Sequence, residues 1–271
     1  ARAGTCPGRP SAPAGAGPSA RAGKVPGMLV AAAVCPAPPL LVPDVAAGAA
    51  AELEALRGHC RRALDAVAEA RPDRLVVVGG GTADVTRYPQ GTPGSFRGFG
   101  VPLTVRLPGG DDGAAGTLPT PLAVAAWLLA DARWSATPVT ALGVPDDLPA
   151  ERCLALGEEL AAGPTRTALL LAGGGSNCRT LKAPGYLDER GEPFDESVAR
   201  ALAAADHRAL AAVDRELASA VGADGAAPWQ VLAGAARRTA QPSGTAPAPL
   251  AGRLLHHEAP YGVGYLVATW G

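Results

Sequence analysis

Four short apolar runs set the strongest limit on what this chain can become: "MLVAAAV" (28–34), "RLVVVGG" (74–80), "TPVTALGV" (137–144) and "TRTALLLAG" (165–173). Their length, their Val and Leu content and the Gly and Pro around them predict strands buried on both faces. The segments between them carry helical spacing instead. Leu53, Leu56, Cys60, Leu64 and Val67 recur every three or four residues, which predicts a long helix with one apolar face and Asp44 as its cap. "PLAVAAWLLADA" (121–132) and Leu148–Ala161 read as further helices, and "VPLTVRL" (101–107) as another strand. Strands alternating with helices imply an α/β fold, a mostly parallel sheet covered on both faces. Near the C-terminus "LAGRLLHHE" (250–258) and "YGVGYLVATW" (261–270) read as an antiparallel pair at a sheet edge. No repeat or linker interrupts 28–271, so a single domain is expected there.

Residues 1–27 differ. They hold Arg2, Arg9, Arg21 and Lys24, no acidic residue and one large aliphatic, Val25. Such a segment buries too little surface to offset its ordering entropy, and a disordered extension is the expectation. Met28, the one methionine of the chain, stands directly before the first strand and reads as the natural start. A net charge of −1 gives no global attraction to nucleic acid or anionic membrane, and no apolar run reaches the roughly 20 residues of a spanning helix. Five cysteines without repeating spacing fit reduced thiols in a cytoplasmic protein.

In α/β folds of this kind ligands sit beyond the carboxyl ends of the strands. Three loops occupy that place here: "CPAPPLLVP", "GGGTADVTRYPQGTPGSFRGFG" and "GGGSNCRTLKAPGYLDERGEPFD". Two begin with three glycines, yet prolines keep both irregular where a phosphate cradle needs a helix N-terminus, and neither matches a nucleotide-binding fingerprint. The glycines are read as sharp turns off a strand.

The Pro-rich loop after the first strand, the "VVVGGG" strand, the stretch 173–195 and the C-terminal "APYGVGYLVATW" together resemble the B-subunit family of class III extradiol ring-cleavage dioxygenases. The resemblance spans nearly all of 28–271. It implies that family's α/β fold, an oxidoreductase acting on catechol-like aromatics, and Fe(II) held by two histidines and a glutamate with a further histidine as acid/base. It places the first ligand at Ala37 and the second in "GTADVTRY", where Thr82 stands and there is no histidine. It places the acid/base group at Asn177, after Ser176, and the glutamate near Gln230 and Val231. None of these side chains is a metal ligand of that type, and asparagine exchanges no proton near neutral pH. The expectation is a divergent member with no cofactor, binding a small aromatic or carboxylate ligand or a partner subunit through the same cleft; Fe(II) belongs to the alternative, an active dioxygenase with a non-standard site.

Cleft candidates are Cys35, Ala37, Thr82, Ser176, Asn177, Cys178, Arg179, Lys182 and Tyr261. Arg179 and Lys182 are suited to a carboxylate or phenolate, or to fixing the loop through Asp188 or Glu189. Cys178 would be a nucleophile only if exposed and lowered in pKa. A second metal set, Cys35, Cys178, His256 and Glu258, has the chemistry of zinc ligands, with His256 and Glu258 on one strand face. A homo-oligomer is compatible with all of this.

Overall fold

The computed structural model describes residues 1, 4, 28–110, 113–163, 165–240 and 250–271. The extension 2–27, apart from Gly4, therefore lies outside the described residues, and with it the expectation of disorder. The first half comprises β1 (Met28–Cys35), α1 (Pro43–Ala46), α2 (Glu54–Glu69), β2 (Arg74–Gly79), β3 (Thr86–Tyr88), β4 (Pro93–Ser95) and β5 (Thr104–Arg106). The middle follows with α3 (Thr120–Asp131), β6 (Val139–Gly143), α4 (Ala150–Leu160) and β7 (Arg166–Ala172). Four helices come next, α5 (Gly191–Ala203), α6 (His207–Ala211), α7 (Arg215–Ala220) and α8 (Ala226–Thr239), before β8 (Gly252–Glu258) and β9 (Tyr265–Trp270).

Seven strands form one sheet in the order β3-β6-β2-β7-β1-β9-β8. The four apolar runs are its centre: β6, β2, β7 and β1 run parallel, each buried on both faces. Strands β9 and β3 pair antiparallel with β1 and β6, and β8 closes one edge antiparallel to β9, as the C-terminal pattern predicts. Alternate strand residues feed two cores. Val76, Val78, Leu169 and Leu171 meet α4, α5 and α8 on one face, with Trp229 and Trp270. Leu75, Val77, Ala168 and Leu170 meet α2 and α3 on the other, with Phe96. This is a single α/β domain, and no helix of the described residues is long and apolar enough to cross a membrane.

Two local expectations need correction. Asp44 does not cap the long helix: it lies in the four-residue α1, whose N-terminal flank is Val42, and a 3-10 segment over Ala47–Leu53 precedes α2. The break falls at Ala47, whose backbone leaves the helical region at φ 47° and ψ −116°, and Gly48 follows it at once. "VPLTVRL" is not a strand of the main sheet. Only Thr104–Arg106 is extended, paired with Pro93–Ser95 in a two-stranded ribbon laid over α3. Pro102 and Pro108 flank it and limit its ladder. The edge strand β3 falls inside a stretch read as loop, since three half-exposed residues carry no apolar signal.

The chain leaves β1 and β2 toward the α2–α3 face but leaves β6 and β7 toward the opposite face. Neighbouring strands thus send their connections apart, which opens a crevice at their carboxyl ends. Both glycine turns lie there.

Candidate functional site

The turn Gly79–Gly81 after β2 and the turn Gly173–Gly175 after β7 are each tied to a carboxylate rather than to a helix N-terminus. The Gly81 N–H donates to Asp146 Oδ1 at 3.2 Å, and the Gly174 N–H donates to Asp224 Oδ1 at 2.5 Å. Any Cβ on Gly80 would collide with Asp146 Oδ1, so glycine is what lets that carboxylate reach the backbone. Asp146 and Asp224 line a cavity of about 680 Å³ with Asp147, Leu148, Arg215 and Glu216. The Arg215 guanidinium donates to the carbonyls of Asp146 and Leu148. Desolvation pushes the Asp224 carboxyl up to about 6; the Gly174 bond opposes the shift and the charge of Asp146 adds to it.

The sign of that shift gives a test. An unfolded aspartate titrates near 3.9. Between about 4 and about 6 the folded chain holds a proton that the unfolded chain has released, so stability falls as pH rises through this window. The contribution of Asp224 is complete below the window and lost above it. Asp224→Asn keeps the acceptor for Gly174 and removes the titration. Because solvent reaches the carboxylate through the cavity, the gain at pH 7 is expected to be only on the order of 1 kcal/mol. Urea midpoints at pH 4.5 and 7 should diverge less in the variant; equal divergence in both proteins would sink the idea.

Deeper in the crevice, Asp195 is fully buried at the first turns of α5. Its Oδ1 accepts the Ser176 N–H at 2.7 Å and its Oδ2 the Ser176 hydroxyl at 2.8 Å. Arg179 stands 3.7 Å from Oδ2 and also pairs with Glu192. Gly175 and Gly264 press their backbones against the carboxylate, leaving no room for a Cβ. Asp195 thus locks the loop after β7 to the entry of β9. Burial pushes its carboxyl up, while the Ser176 bonds and the charges of Arg179 and His257 pull it down. The His257 Nε2 is buried with no hydrogen-bond partner among the described residues.

The remaining sequence candidates separate. Ala37 is buried in the α2–α3 core, and Cys35 lies in the same core with Cys60, whose thiol together with burial drives that of Cys35 well up. Cys178 is buried in the core of the opposite face, and burial raises its thiol too, the reverse of what a nucleophile needs. The two cysteines of the zinc set therefore point to different sides of the sheet, and Cys35, Cys178, His256 and Glu258 do not come together. Among the described residues, no group of three or more His, Cys, Asp or Glu side chains is arranged to hold a metal ion.

The donors that ferrous iron requires are also lacking where the resemblance puts them. The Thr82 methyl is seated over Gly143 and its hydroxyl has no partner among the described residues. The Asn177 side chain is wedged against Gly185 and Gly222. Gln230 is buried in α8 and donates to the carbonyls of Ala211 and Val213 at 3.4 and 3.1 Å. These residues do not fit an Fe(II) centre: none supplies an imidazole or carboxylate.

Arg179 takes Glu192 and Asp195 rather than Asp188, which Arg190 occupies. Lys182 is exposed and makes no ion pair among the described residues. It lines a second cavity, of about 520 Å³, with Thr180, Leu181, Ala259, Tyr261 and Gly262. Tyr261, one of the cleft candidates, stands 42% exposed on the wall of that cavity, its hydroxyl donating to Glu52 at 2.5 Å. Its partner in sequence, Tyr265, is the one that packs in the core.

Asp146, Asp195 and Asp224 escape sequence reasoning. Asp146 stands three residues past the end of β6, a signal that was available; Asp195 closes the "PFD" of the resemblance; Asp224, in "GADGAA", carries none.

No protein-family profile matches the chain, and no curated protein is similar to it. Among solved structures, the uncharacterized protein JW3007 of Escherichia coli K12 shares the fold. The TM-score is 0.57 at 16% identity, over 89% of this chain and 100% of that one.

Proposed function

We propose that the chain is a divergent relative of the class III extradiol dioxygenases that binds a small aromatic or carboxylate ligand at the carboxyl edge of its sheet, without the family's ferrous centre. One observation carries this reading. The side chains standing where that chemistry needs donors are built into the scaffold: Ala37 in the core, Asn177 between two glycines, Gln230 on two carbonyls. A ligand finds a different set of groups. Lys182 offers a cation with no ion pair among the described residues, Tyr261 an aromatic wall with a hydroxyl, and Leu181 an apolar surface that is 75% exposed. A cation and an aromatic ring beside an apolar rim are complementary to an aromatic carboxylate. The described cysteines are all free thiols, in keeping with a reducing compartment such as the cytoplasm.

Benzoate and 3,4-dihydroxybenzoate are the probes. Calorimetric titration is expected to show binding that Lys182→Gln weakens about tenfold, the value of one charge-assisted hydrogen bond. Anaerobic loading with Fe(II) followed by oxygen-electrode assay with catechol is expected to give no uptake above buffer. Catechol-dependent uptake would replace this reading with the ring-cleaving oxidoreductase; indifference of binding to Lys182→Gln would remove the ligand from this cavity.

A further inference from the structure

The loop between β7 and α5 is sealed at its base by backbone hydrogen bonds. The Gly185 N–H donates to the Asn177 carbonyl at 2.9 Å, and the Asp188 N–H to the Cys178 carbonyl at 2.8 Å. The Arg179 N–H donates to the Gly262 carbonyl at 3.0 Å, and Gly262 lies so close to Thr180 and Ala183 that a Cβ would collide with both. Anchoring of this kind fixes the loop without burying its tip. Among the described residues, the three most exposed large apolar side chains all stand on it: Leu181 at 75%, Tyr186 at 74% and Leu187 at 49%. Tyr261 adds a fourth from the adjoining turn and shares a cavity wall with Leu181. Tyr186 and Tyr261 both hold φ at 59°, a strained backbone for an aromatic residue. A cluster of apolar side chains kept in water on an anchored loop marks an interaction surface.

Two charges point to the partner. Arg179 is taken by Glu192 and Asp195, and Asp188 by Arg190. Lys182 and Glu189 on the same loop are exposed, and neither makes an ion pair among the described residues. An apolar patch that carries one cation and one anion is complementary to itself, because in a two-fold contact each residue meets the other's counterpart twice. We propose that this loop pairs with the same loop of a second copy of the chain about a two-fold axis. Leu181, Tyr186, Leu187 and Tyr261 pack at the centre, and Lys182 meets the partner's Glu189 on both sides. The four apolar groups expose on the order of 400 Å² per copy, about half of the ~800 Å² that each partner gives to a standard interface. The dimer is therefore weak and exchanging, with a micromolar dissociation constant. Lys182 also lines the cavity of the ligand reading, but the pairing does not rest on that reading.

Sedimentation velocity of the ligand-free full-length chain, from low micromolar to several hundred micromolar, is the test. The average mass is expected to rise toward that of a dimer. Lys182→Glu and Glu189→Lys set like charges against each other twice, and each should weaken association about tenfold or more. An equimolar mixture of these two variants restores opposite charges at both contacts and should associate again, which no effect within a single chain produces. Leu181→Ser should weaken association without moving the melting temperature, since that side chain is mostly in water. A parent chain that stays monomeric throughout would overturn the proposal. So would single variants that associate like the parent, or a mixture that stays monomeric while both variants keep the parent's melting temperature. Benzoate is absent from every sample, so the pairing and the ligand reading fail separately.

Discussion

Asp195→Ala is expected to cost about 3 kcal/mol or more, enough to unfold a large fraction of a domain of ordinary stability. The carboxylate accepts from both the backbone N–H and the hydroxyl of Ser176, all of it buried. Alanine leaves two donors without partners in a site that water does not enter, at about 1–3 kcal/mol each. It also leaves a void between Gly175 and Gly264, whose backbones close on the carboxylate. Asp195→Asn separates shape from charge. Asparagine can still accept from the Ser176 N–H, and Arg179 keeps Glu192. Burial raises the Asp195 carboxyl, so the charged form is not the one the site favours on solvation grounds alone. Asparagine is therefore expected within about 1 kcal/mol of the parent. Urea unfolding of both variants decides the matter. A mild alanine variant would mean that Asp195 does not hold the loop, and an asparagine variant as damaged as alanine would mean that the charge does.

The second large effect lies at the crossing of α4 and α8. Gly157 of α4 faces the Val231 carbonyl, and Gly234 of α8 faces Leu154; a Cβ on either would fall inside the contact distance of backbone atoms. Gly234→Ala is expected to lose about 3 kcal/mol, at the upper end of overpacking, because backbone has no rotamer by which to yield and α4 would have to move off the core. The loss would come in spite of alanine's better helix propensity. Gly58→Ala in α2 is the control. There the added methyl meets only the end of Arg61 at 3.9 Å, and a gain of about 0.5–1 kcal/mol is expected. Thermal or urea midpoints moving in the same direction for both substitutions would contradict this account of the crossing.

How far the sequence speaks can be judged from particular residues. "VVV" of 76–78 and "ALLL" of 168–171 are apolar without alternation because both sheet faces are covered, and this alone predicts the parallel centre. "LLHHE" against "YLVATW" shows the edge pair, since one strand is half-polar and the other apolar. Of the ribbon, β5 was legible only within a longer strand read over 101–107, and β4 and the edge β3 were not legible. Three-residue strands have no period to detect, and their place depends on what covers them. In the loop after β7 the serine, asparagine, cysteine and arginine were visible as reactive types. Their roles were not, because Ser176 is defined by Asp195, 19 residues later, and Cys178 by the face on which it is buried.

Periodicity and apolar run length, which are local properties, determined the fold class, the helix faces and the single domain. Residue identity alone determined the lack of imidazole or carboxylate at the positions the resemblance marks. Tertiary structure decided which groups meet: Asp146 with Asp224, Ser176 with Asp195, and Cys35 with Cys60 rather than Cys178. Each of these pairs joins residues far apart in the chain, and their meeting depends on strand order and on which face each connection takes. No local pattern carries that information, because the same strands and helices wound in another order would bring different side chains together.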